Sequence, residues 1–191
     1  MPLNDFSQLA LKQPEAVQQL ITSADFQVKM MLFILLINCI VVPMEAGFYK
    51  LFEALGNKQR VGHKLLFSFY NSVYTKRILS FVLFFSAVKW AIAFLLTRLG
   101  LGGFDFSVSV ILSLLFTLTI PIIVFENQSV TQAMKVSSRR MAPYMFTALI
   151  VLFIGLIATL SGILLFGFGL VLTLPFFFAV NYNLYINVTL K

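Results

Sequence analysis

From Pro143 to Leu164 the chain reads PYMFTALIVLFIGLIATLSGIL, without one charged side chain. A helix needs about 20 apolar residues to cross the ~30 Å of hydrocarbon in a bilayer. This stretch meets that need, and four others approach it. They run from Val28 to Lys50, Ile78 to Thr97, Phe106 to Phe125 and Leu170 to Val188. The first has its apolar heart in MMLFILLINCIVV, Met30 to Val42. The pattern predicts an all-α fold: an integral membrane helical bundle of about five transmembrane helices with amphipathic surface helices, in one membrane domain over residues 1–191. Composition agrees. Of 191 residues 60% are hydrophobic and 11% charged, where soluble domains carry about 25% charged residues. A small soluble fold leaves too much surface exposed to hide so many apolar groups. The 22 phenylalanines suit hydrocarbon equally well.

The connecting segments have their own signals. Residues 1–27 are mixed in character, and Pro14 to Ile21 reads as a short surface helix opened by proline. Between Gly62 and Arg77, the residues Leu66, Phe69, Tyr70 and Val73 recur at helical spacing and predict an amphipathic helix over 62–77. A second is expected over 129–142, where Ser129-Val130-Thr131-Gln132 has a capping-box pattern. Gly167-Phe168-Gly169 reads as a tight turn between the last two spans. Pro43, Pro121 and Pro175 mark three bent helices. In the fourth span Gly155, Ala158, Thr159 and Gly162 form a stripe of small residues that lets another helix approach.

Charge sets the expected orientation. The net charge is +7, but the basic residues fall between apolar runs rather than on a soluble face, which argues against nucleic acid. Lys50, Lys58, Arg60, Lys64, Lys76, Arg77, Lys135, Arg139, Arg140 and Lys191 share one side of a five-span chain. Lys12, Lys29 and Arg98 take the other. Positive residues gather on the cytoplasmic side, so the N-terminus is expected outside and the C-terminus in the cytoplasm. A four-span version, with the last two apolar runs re-entrant, keeps the same basic loops inside. The first 25 residues lack a basic start followed by an apolar core, so no cleavable signal peptide is expected.

Few residues suggest chemistry. Lys89 lies in the middle of the second span, where a charge costs ~2.5–3.5 kcal/mol on insertion scales. Glu45, inside the first span, is the acid that could pair with it. An ion pair, a transport or proton role, and snorkelling of Lys89 to the interface all remain open. Asn181, Asn183 and Asn187 in the last span form a candidate interhelical polar cluster, with Asn38 a partner by depth. Lys135, Arg139 and Arg140 form a candidate contact for phosphate or anionic headgroups. The single cysteine, Cys39, and single histidine, His63, exclude internal disulfides and His-rich metal sites. Nucleophile–base pairs, paired carboxylates, phosphate loops and zinc spacings are absent. No catalytic residue and no cofactor are therefore expected.

One arrangement resembles a known family. Pro121-Ile122-Ile123-Val124-Phe125-Glu126, then Ser129 to Ala133, then Ser137 with Arg139-Arg140 and an apolar helix, is similar to the YciC-like family of bacterial inner-membrane proteins. Related patterns occur in the membrane domain of some glycerophosphodiester phosphodiesterases. The stretches Pro43 to Phe69 and Pro14 to Ile21 add to the likeness. The chain lacks the extra N-terminal helix of longer relatives and has no phosphodiesterase domain. The resemblance implies a multi-pass inner-membrane protein and supplies no catalytic residue. The expected function is non-enzymatic: scaffolding, regulating or assisting assembly of membrane components. A small transporter or lipid-handling protein is the alternative. Expected partners are the lipid bilayer, with its anionic lipids, and another membrane protein.

Overall fold

A computed structural model of the chain describes residues 23–70, 72–160 and 168–189, and every element among them is helical. Eight α-helices follow one another: α1 (Ala24–Gly56), α2 (Lys64–Phe67), α3 (Val73–Arg98), α4 (Asp105–Leu115), α5 (Thr119–Phe125), α6 (Val130–Met141), α7 (Met145–Leu160) and α8 (Phe168–Thr189). Short 3₁₀ turns at Ser68–Tyr70, Gly102–Phe104 and Ala142–Tyr144 join some of them. The expected helix at Pro14–Ile21 lies outside the described residues.

Among the described residues, four segments are long and apolar enough to cross a membrane: Asp25–Gly56, Val73–Arg98, Gly102–Phe125 and Val130–Leu160. They contain the first three expected spans and the fourth as far as Leu160, its residues 161–164 lying outside the described residues. The fifth expected span falls in α8, a 22-residue helix. Phe168 and Gly169 belong to its first turn. The expected Gly167–Gly169 turn is thus overtaken by helix at two of its positions, and Gly167 is outside the described residues.

The chain divides into two compact units, Met1–Cys39 and Ile40–Lys191. The first is described through the N-terminal part of α1. There Leu32, Phe33 and Leu36 each expose more than half of their surface, and Lys29 pairs with Asp25 one turn away at 2.6 Å. Apolar faces of this kind are stable against lipid and costly against water.

The second unit is built around α5. Thr119, Ile120, Pro121, Ile122, Ile123 and Val124 are all buried, so this half-helix lies inside the bundle. Its proline explains why the third span is two helices. Pro121 has no N–H to donate, and its ring crowds the carbonyl four residues back. That carbonyl belongs to Thr117, in the break between α4 and α5. Across the break the bonds tighten to three-residue spacing: Thr119 N–H reaches Phe116 O at 3.0 Å. Leu115 O thereby loses its helical donor. Ser137, fully buried on α6, donates its hydroxyl to Leu115 O at 2.8 Å.

Helix α6 fits its predicted bounds. Ala133, Ser137 and Met141 are buried and recur every four residues, while Lys135 and Arg139 are exposed on another face. The expected cap takes a different form. Ser129 donates to the Gln132 side-chain oxygen at 3.2 Å and makes no side-chain bond to the helix backbone.

The stretch 62–77 is not one amphipathic helix. Helix α2 spans four residues and passes into the Ser68–Tyr70 turn, and a separate helix starts at Val73. Ser72 is extended there, and its N–H donates to the Thr75 hydroxyl at 3.0 Å. Residues 73–77 therefore open α3. Leu66, Phe69, Tyr70 and Val73 share no helical face, and Phe69 is buried while Val73 is 76% exposed. Gly47 allows this segment to approach α1: a β-carbon there would lie 2.2 Å from the Leu66 carbonyl oxygen. The Tyr70 hydroxyl donates to Ile40 O, and burial raises its phenol above the ordinary value.

Helices α7 and α8 make the most extensive pairing in the fold. Gly155 is buried, and a β-carbon there would sit 3.4 Å from Val180. One turn on, the Thr173 hydroxyl donates to Thr159 O at 2.9 Å. The small-residue stripe works as expected at Gly155 and Thr159. Gly162 lies outside the described residues.

Candidate functional site

The densest polar grouping lies at the end of the second unit that carries the basic loops. It is assembled by α8. Asn181 and Tyr185, one turn apart, are both buried and serve two different acids. Upstream, the Tyr49 hydroxyl donates to Glu45 within α1, and the Asn181 side chain lies beside the same tyrosine. Downstream, the Tyr185 hydroxyl donates to Glu126 Oε1 at 3.3 Å. Glu126 also holds both guanidinium nitrogens of Arg140, with Nη2 to Oε2 at 3.3 Å. Gln128 adds a donor at 3.2 Å. The bidentate fork joins the α5 end to α6, and it is the strong form of an ion pair.

Aromatic rings fill the space between these acids. Phe48 and Phe52 on α1 stand 5.2 Å from Phe178 and 5.8 Å from Tyr182 on α8. Phe125 on α5 stacks on Tyr185 at 5.4 Å, and the Lys50 ammonium caps that same phenylalanine ring at 4.8 Å. Arg77 fastens the edge. It donates to the Asn127 side chain at 2.7 Å, where the backbone turns through φ +52°, a conformation asparagine tolerates.

The proposed Glu45–Lys89 pair does not form. Among the described residues, the ion pairs are Asp25–Lys29, Glu53–Lys50 and Glu126–Arg140. Lys89 turns to α4 instead. Its ammonium donates to Ser113 Oγ at 3.3 Å and lies 5.5 Å from the Phe85 ring centre. Asp105, on the same helix as Ser113, is the acid within its electrostatic reach. The reason is packing: α3 pairs with α4, while the Glu45 turn of α1 faces α8 through Tyr49.

The asparagines do not form one cluster. Successive helical residues are ~100° apart, so positions two apart point to nearly opposite sides. Asn181 faces the interior, while Asn183 and Asn187 share an exposed face. There each donates to its own helix: Asn183 to Ala179 O at 2.9 Å and Asn187 to Asn183 O at 2.8 Å. Asn38 is half-buried and belongs to the other unit.

The basic trio also separates. Lys135 and Arg139 are exposed and remain candidates for headgroup contact, but Arg140 is committed to Glu126. Helical spacing explains the split, since Arg140 lies three residues from buried Ser137 and beside buried Met141.

No family model, curated protein or solved structure matches this chain. The likeness to YciC-like proteins therefore stands on the quoted residues alone. Sequence reasoning noted Glu126 but not its partners, and it missed Tyr49, Ser113 and Tyr185. One signal was present: Phe48 and Phe52, then Phe178, Tyr182 and Tyr185, stand at spacings of three or four that mark aromatic faces meeting across two helices.

Proposed function

We propose that this chain is a five-span, non-enzymatic protein of a bacterial inner membrane, akin to the YciC-like proteins. Its work is to hold or assist other membrane components through its basic end. One observation carries the reading. The bundle spends the hydrogen bonds of Glu126 and Arg140 internally, while α6 presents Lys135 and Arg139 outward without side-chain partners among the described residues. A rigid, self-satisfied network behind an outward basic face suits contact better than turnover. In this reading the basic side is cytoplasmic, the N-terminus is outside and α8 crosses the membrane.

Photocrosslinking in cells tests it. A crosslinking residue at Lys135 or Arg139 is expected to give discrete membrane-protein adducts. The same residue at Phe106, which is 78% exposed near the opposite end of the bundle, serves as the control. Equal adducts at both ends sink the proposal.

A transporter or lipid-handling role is the second reading. It is favoured by Asn181 Oδ1, which is buried with no partner among the described residues and lies beside the Tyr49–Glu45 bond. Ion flux in proteoliposomes that Glu45→Gln abolishes, with the fold retained, would move the balance to it.

A further inference from the structure

The outer seam between α7 and α8 opens into a depression of about 350 Å³ lined by Tyr144, Thr147, Val151, Val180, Asn183 and Asn187, among others. Its polar groups gather toward one end, where Leu184 and Val188 stand among them. The two helices run antiparallel, so Tyr144 lies level with Asn187, and Thr147 lies level with Asn183. Deeper in, Val151 meets Val180. The polar end is thus at the basic face and the apolar end points toward the middle of the bilayer.

The amides are not used up. Each NH₂ group of Asn183 and Asn187 gives one hydrogen to its own helix, and a second hydrogen remains on each. On a lipid-facing helix an amide without a partner is costly. Positive charge stands at the same depth. Tyr185, between the two asparagines in sequence, bonds the carboxylate that holds Arg140, and the neighbouring Arg139 is exposed.

We propose that this seam is a binding site for one anionic phospholipid. The phosphate is drawn by Arg139. The glycerol and ester oxygens accept from Asn183, Asn187 and the Tyr144 and Thr147 hydroxyls, and an acyl chain lies along Val151 and Val180. Hydroxyls and amides confined to one end of an otherwise apolar seam suit a lipid lying with its headgroup at that end. The assignment rests on the membrane reading above and names one partner class within it.

Native mass spectrometry of the full chain in detergent tests it, using phosphatidylglycerol and phosphatidylcholine of the same acyl chains. The wild type is expected to retain one phosphatidylglycerol about fivefold more than phosphatidylcholine, the scale of one basic residue at an anionic surface. Arg139→Gln should erase that preference, while Arg98→Gln at the other end leaves it intact. Asn183→Leu with Asn187→Leu should lower retention of both lipids, and the two positions are exposed, so unfolding is not expected. Equal retention of both lipids by the wild type, or wild-type retention by the asparagine variant, overturns the site. So does efficient crosslinking of Val151→Cys, in a Cys39→Ser background, to a second copy or another membrane protein. A chain that stays monodisperse without detergent overturns the membrane reading itself, a result separate from these.

Discussion

Lys89 carries a full charge into an apolar helix and meets a serine rather than an acid. Its Ser113 partner keeps a second bond, donating to Ser109 O at 2.8 Å, so removal of the ammonium strands no buried donor. Lys89→Leu is therefore expected to favour insertion, by up to about 3 kcal/mol on a translocon scale, and to leave detergent stability unchanged or higher. Combining it with Glu45→Gln should give additive effects, because groups without a shared partner do not couple. A coupling of more than about 1 kcal/mol would restore the ion pair. Arg140 behaves in the opposite way. Its side chain and that of Glu126 are 32% and 21% exposed, so their bonds are only partly screened. Arg140→Ala is expected to cost about 2 kcal/mol, typical of charged hydrogen bonds. Thermal unfolding in detergent measures it, and Arg139→Ala is the silent comparison. These outcomes show what single positions in the sequence could reveal. Lys89 and Glu45 stood out because charge in hydrocarbon is rare, and that rarity is local information. Which neighbour each one meets depends on which helices pack together, and no property of residue 45 or 89 encodes it.

At the scale of elements, the third span shows how one residue organises others. Pro121 breaks the ladder, Leu115 O loses its donor, and Ser137 on another helix supplies one. Ser137→Ala leaves that carbonyl buried and unsatisfied, which costs ~1–3 kcal/mol. Ser138→Ala, whose hydroxyl only returns to Lys135 O at 3.0 Å on its own helix, should cost little. Equal losses at the two sites would argue against the repair. Gly47 has a comparable duty toward the segment that follows α1. An added methyl collides with the Leu66 backbone, which has no side-chain freedom to yield. Gly47→Ala is expected to cost ~1–3 kcal/mol, as overpacking does, and to raise proteolysis between Gly62 and Tyr70. Helix existence was legible in the sequence because apolar run length alone decides it. The bend at Pro121 was legible too. The fate of residues 62–77 was not, since the periodicity from Leu66 to Val73 continues across Ser72, where extended backbone and the bond to Thr75 start a new helix. Periodicity reports which side chains are apolar, and local backbone bonding decides whether they share a helix.

For the whole molecule, orientation follows from how charge is distributed over the helix ends. The second unit ties its basic end together with Lys50, Arg77, Glu126 and Arg140, whereas among the described residues Arg98 at the far end of α3 meets the ring of Phe94, at 5.1 Å. Helix α1 is 33 residues long, or about 50 Å at 1.5 Å per residue. It exceeds the ~30 Å hydrocarbon core, and in the proposed orientation its Lys50–Gly56 end is expected to project on the basic side. With basic segments retained in the cytoplasm, as proposed, Arg98 is expected outside and Arg139 inside. Cysteine labelling reads this directly, because the chain has a single cysteine to remove. In a Cys39→Ser background, Arg98→Cys should react with an impermeant maleimide in intact cells, and Arg139→Cys only after permeabilisation. A cysteine at Thr189, at the end of α8, is expected on the side of Arg139→Cys in both the five-span and the re-entrant arrangement. If α8 crosses, it labels with Arg139→Cys. If α7 and α8 form a re-entrant hairpin it labels there as well, so a cysteine at Leu160 is the discriminating site: it should label from outside only when both helices span. Protection of Leu160→Cys in intact cells, with Arg98→Cys still reactive, would leave the orientation standing and remove the crossings of both α7 and α8.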